Sequence, residues 1–151
     1  SNETMTDPVK PLKDAYINLL TGAINYNGTT IPVYDEEGDP AGNDFYIIVS
    51  SVTDTQVQNQ KTYFWSELTI IIDVVTRLDN RITKMKEPCD VITGKILDLV
   101  LPTVTTHAIS CSGFQVLNVV KESSQHLPVL DTGTKKVVRR VTRFRQQMIE
   151  G

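Results

Sequence analysis

The chain has 151 residues and a mass of 16.9 kDa, enough for one domain with a real hydrophobic core. Its 40% apolar and 22% charged residues are ordinary for a soluble globular protein, and no apolar run approaches the length of a membrane span. The net charge of −3 is unevenly held: residues 1–60 carry nine acids and two bases, residues 61–151 nine acids and thirteen bases. Such asymmetry fits an anion-binding surface, a head-to-tail assembly in which unlike patches meet, or plain solvated surface. The polar start SNETMTDP lacks a signal-peptide shape, so the expectation is a cytosolic place of synthesis, with residues 1–7 a flexible N-terminus.

A first helix is predicted from Pro8 to Thr21, with Asp7 as N-cap, Pro8 at the first helical position and a stripe of Val9, Leu12, Tyr16, Leu19, Leu20 and Ala23. Asn25 to Thr30 reads as a polar turn and Ile31 to Tyr34 as a short strand. The acidic loop DEEGDPAGND follows, holding Asp35, Glu36, Glu37, Asp39 and Asp44. Its carboxylates invite a calcium reading, but the spacing fails the twelve-residue calcium loop, which leaves a solvated loop.

Phe45 to Val52 is an apolar strand, and residues 53–61 (TDTQVQNQK) are a polar mobile loop or an extended hairpin tip. Tyr63 to Arg77 then forms the strand around which the fold is organised. At period two, Phe64, Leu68, Ile70, Ile72 and Val74 share an apolar face interrupted only by Ser66. The opposite face, with Glu67, Thr69, Ile71, Asp73 and Val75, is mixed. The second and third strands are expected to pair as an antiparallel hairpin.

A second helix is placed over 83–101, with Met85, Cys89, Ile92, Ile96, Leu99 and Val100 as its stripe. Pro88 either opens this helix or kinks a short first turn, and an opening near Pro88 is the simpler account; Pro102 ends it. Two closing strands are placed at His107–Ser123, with a possible bulge at Gly113, and Val137–Ile149. The resulting class is α+β: an antiparallel or mixed sheet of about five strands, order α-β-β-β-α-β-β, with both helices on one face.

The catalytic inventory is thin. Ser123, His126 and Asp131 assemble a triad only on paper, without a nucleophile elbow or oxyanion motif. Cys89, Cys111, His107 and His126 match no zinc spacing, and the two cysteines read as buried free thiols, with a single disulfide as the alternative that nothing in the sequence supports. Gly94-Lys95 lies within the second predicted helix and lacks the upstream glycine of a phosphate loop. No catalytic residue, metal or cofactor is assigned. The feature with partner chemistry lies between 135 and 145: six bases and no acid, namely Lys135, Lys136, Arg139, Arg140, Arg143 and Arg145. In a regular strand Arg139, Arg143 and Arg145 share one face and Arg140 takes the other. The row could meet DNA phosphates without reading sequence, protect an edge strand by charge, or pair with the acidic 35–44 loop of a neighbouring subunit.

The order of elements and the local wording, LKDAYINLLTGAI, IPVYDEE, FYIIVSS, FWSELTIIIDVVTR and VITGKILDLVL, resemble the tail-terminator (tail-completion, head–tail joining) proteins of long-tailed bacteriophages, over about residues 8–149. The resemblance implies a non-enzymatic virion protein that assembles into a homo-oligomeric ring, usually a hexamer. Such a ring caps the tail tube and docks onto the neck, with genomic DNA passing through its lumen. It also makes the 35–44 and 53–61 loops candidates for contacts with tail-tube or neck proteins, and the 135–145 strand a candidate for the DNA-facing or inter-subunit surface.

Overall fold

The computed structural model describes residues 7–36, 42–59 and 64–151. Helix α1 (Val9–Leu20) is followed by a small hairpin, β1 (Asn25–Tyr26) and β2 (Thr29–Thr30), and by β3 (Val33–Asp35), β4 (Phe45–Asn59) and β5 (Phe64–Asp79). Helix α2 (Glu87–Val100), β6 (Phe114–His126), β7 (Leu130–Asp131) and β8 (Lys135–Glu150) complete the chain. The architecture is α+β, as expected. The main sheet has the order β3-β4-β5-β8-β6, with β7 also on β8, so it has six strands rather than about five. Among these strands only β3 runs parallel to its neighbour, β4.

Each helix start follows from local chemistry. The Asp7 carboxylate accepts the Val9 N–H at 3.0 Å, and the Leu12 N–H reaches the Pro8 carbonyl at 3.0 Å. Asp7 therefore caps α1 and Pro8 supplies its first turn, which needs no proline N–H. In α2, Pro88 again sits in the first turn, and Glu87 and Asp90 place negative charge where the helix dipole favours it. The kinked alternative is thereby excluded.

The period-two reading of the organising strand holds along β5. Leu68, Ile70, Ile72, Val74 and Leu78 are buried on one face, with Ser66 and Thr76 buried beside them. Leu12, Tyr16 and Leu20 of α1 and Cys89, Ile92, Ile96 and Val100 of α2 join that face in one core, together with Val138, Phe144 and Met148 of β8. Both helices thus cover the same side of the sheet.

Of the two readings of residues 53–61, the extended hairpin is the one realised: residues 53–59 continue β4 and pair with β5, and residues 60 and 61 lie outside the described residues. Three expectations are corrected. The polar turn at Asn25–Thr30 is a hairpin, because Asn27 (φ 50°) and Gly28 (φ 78°) both take the left-handed conformation that a two-residue connection requires. The short strand begins at Val33, after Pro32, rather than at Ile31. Finally, the stretch before Phe114 is irregular, and the bulges of β6 fall at Leu117 and Glu122 instead of Gly113. An extra residue shifts the phase of everything after it. Val119 consequently packs against the core, whereas Val120 is 41% exposed.

Candidate functional site

Among the described residues, the side of the sheet away from the helices carries no layer of its own. Register puts Tyr46 and Ile48 of β4 beside Val75 and Asp73 of β5, and Ile71, Val75 and Arg77 of β5 opposite Arg143, Arg139 and Val137 of β8. This open face is where most of the basic stretch lies.

The strand that carries the stretch, β8, is internal: β5 lies along one side, and β6 and β7 along the other. The edge-strand reading of its charges is therefore wrong. Arg139, Arg143 and Arg145 do share the open face, while Arg140 takes the helix side, as the period requires. What reading along the chain misses is that these cations have carboxylate partners within the same chain. Arg139 binds Asp73 through both Nε and Nη2, and that carboxylate holds the guanidinium above its ordinary pKa. The Glu122 carboxylate meets two side chains, Arg143 at 3.5 Å and Arg145 at 3.3 Å. Lys135 lies 3.7 Å from Asp44, so one basic residue and one member of the acidic loop meet inside the chain. Lys136 stands opposite Asp131 in the β7–β8 register.

Elsewhere in the acidic loop, Glu36 pairs with Lys13 of α1 at 3.0 Å and Asp35 ends β3. Glu37 and Asp39 lie outside the described residues.

On the helix side, the Asp90 carboxylate accepts from Arg140 Nη1 at 2.8 Å, and His126 Nε2 lies 2.8 Å from the same oxygen. Arg140 Nε also donates to Ser124 Oγ at 2.9 Å, and that hydroxyl lies 2.9 Å from Thr142 Oγ1. The cluster ties the first turn of α2 to β6 and β8. It also dissolves the paper triad: the partner of His126 is Asp90, and Asp131 accepts the Gly133 N–H in a turn. His107 is structural too. Its Nδ1 accepts the Ile109 N–H at 3.1 Å, so Nε2 carries the proton that bonds the Val116 carbonyl at 3.0 Å. No group of three or more His, Cys, Asp or Glu positioned for a metal occurs among the described residues.

Both cysteines are free and buried. Burial pushes each thiol up to about 11, and Cys89 Sγ lies 3.2 Å from the Val138 carbonyl. Neither is poised as a nucleophile. A thiol reagent at pH 8 should label neither cysteine in the native protein and both in denaturant; rapid native labelling would contradict this burial. An unfolded thiol ionises near 8.5, so the stability contributed by these neutral thiols is full below about pH 8.5. It should be lost progressively as pH rises toward 11.

Compared with models of known protein families and with curated protein sequences, the chain matches none of them. The functional reading therefore rests on the molecule itself and on the pattern-level resemblance.

Proposed function

We propose that this chain is the protomer of a structural ring at the head–tail junction of a tailed bacteriophage. The ring terminates the tail tube, joins it to the neck proteins and lets genomic DNA pass through its lumen. Its role is structural and not enzymatic, and its place is the tail or neck of the virion after assembly in the host cytoplasm. A six-fold ring is favoured, with a neck or connector ring of other order as the alternative.

The observation that carries this reading is the one-sided sheet with unlike edges. Two helices cover one face, and among the described residues no element covers the other, where Tyr46, Thr69, Asp73 and Val75 are nevertheless buried by their neighbours in the sheet. The sheet ends on the three-residue β3 at one side and the 13-residue β6 at the other. A protomer whose two sides differ suits a heterologous, head-to-tail contact, and such contacts close into rings when the rotation allows. A mixed face that sets paired charged groups among Ile48, Ile71 and Val75 suits a lumen lined by one side of the sheet. A dedicated nucleic-acid-binding module is less favoured, because Arg139, Arg140, Arg143 and Arg145 each contact a carboxylate of their own chain. No helix among the described residues is long and apolar enough to cross a membrane.

Negative-stain images of the purified protein test the reading. The expected particle is a closed annulus with an opening wide enough for duplex DNA; a field of compact particles without an opening would count against it. Charge reversal is best made at Arg143, because Arg140 also anchors α2 through Asp90 and its loss would disturb the fold.

A further inference from the structure

The bulge in β6 has a chemical consequence. Arg143 and Arg145 lie two residues apart on the same side of β8, about 7 Å from each other at an ordinary strand rise. Glu122 is the extra residue between Lys121 and Ser123, and the bulge aims it at both guanidinium groups. Asp73, on the next strand, takes Arg139 in the same way by a diagonal contact across β5 and β8. Three guanidinium groups on the open face are thus met by two carboxylates, which leaves one net positive charge among the five groups.

We propose that Glu122 and Asp73 are charge masks that set how strongly the open sheet face holds a duplex DNA backbone. A phosphate approaching Arg143 or Arg145 meets a guanidinium whose charge the Glu122 carboxylate already offsets, so the approach gains less. The arginines still stand in a row on an exposed face and supply attraction along the duplex without reading its bases. The combination gives weak, rapidly reversible contact, which suits a duplex that slides past the face. This inference rests on the proposed passage of DNA through the ring.

The test is a titration of the intact protein into a fluorescently labelled mixed-sequence duplex, followed by anisotropy between 50 and 200 mM salt. Glu122→Gln keeps the shape of the side chain and removes its charge. It should bind about tenfold more tightly than wild type at low salt, with a salt slope steeper by about one to two, reflecting one or two newly available phosphate contacts. Adding Arg143→Gln and Arg145→Gln to that variant should abolish the gain. An affinity and slope unchanged by Glu122→Gln would overturn the proposal, as would a gain that survives loss of both arginines. If Glu122→Gln melts below the assay temperature, Asp73→Asn, which releases Arg139, reads the same change. The solution mass of the wild-type sample separates the two ideas: a single protomer counts against the ring, while the titration speaks to the masks alone.

Discussion

Replacing Phe144 by alanine should lower the unfolding free energy by about 3–5 kcal/mol, the usual cost of truncating a fully buried aromatic ring. Phe144 is 0% exposed on β8, opposite Ile70 of β5, and its ring lies 5.8 Å from that of Tyr16 on α1. It therefore touches both layers of the domain at once. Alanine leaves a cavity that the strand cannot collapse to fill, because β8 is fixed by neighbours on both sides. Domains of this kind are stable by about 5–15 kcal/mol, so the variant loses a large share of the total. Urea denaturation at fixed protein concentration should show a lower midpoint with the slope unchanged. A midpoint within error of wild type would mean that Phe144 does not join the layers.

Gln146 should be nearly as sensitive, although it is polar. It is fully buried, accepts the Tyr16 hydroxyl at 2.5 Å, and donates to the carbonyls of Leu68 at 2.8 Å and Phe144 at 3.1 Å. Gln146→Leu keeps most of the volume but leaves the hydroxyl without its acceptor and removes a donor from two carbonyls. We expect a loss of about 2–4 kcal/mol, since each unsatisfied buried group costs about 1–3 kcal/mol. Tyr16→Phe should cost less, about 1–3 kcal/mol. The double variant should cost less than the two singles added, because the second change removes a group that the first left stranded. Strict additivity would show that the hydrogen bond is not made. Burial also raises the pKa of the Tyr16 hydroxyl, so it stays protonated in the folded chain. An unfolded tyrosine ionises near pH 10, so this contribution is full below about pH 10 and falls above it. The fall should be smaller in Tyr16→Phe.

The strongest local patterns are legible in the amino-acid sequence. The alternation Leu68, Ile70, Ile72, Val74 identifies the buried face of β5, and Pro88 locates the start of α2, because each follows from one short-range rule. The extension of β4 through residues 53–59 is not readable in this way. A polar run such as TDTQVQN has no apolar alternation and takes its strand form from pairing with β5. The Asn27-Gly28 pair does carry a hairpin signal, but its flanking strands have only two residues each and add no pattern to support it. Bulges at Leu117 and Glu122 defeat parity counting, since one unpaired residue reverses the phase beyond it.

The basic stretch shows the same limit at the level of function. Period two correctly divides Arg139, Arg143 and Arg145 from Arg140. Their partners Asp73, Asp90 and Glu122 lie far away along the chain, and only the sheet register and the docking of α2 bring them close. A charge run read in isolation therefore overstates how basic the surface is.

Light scattering across a range of concentrations tests the ring most directly. The expected result is a species of about six times the 16.9 kDa protomer. A mass of one protomer at every concentration would contradict it.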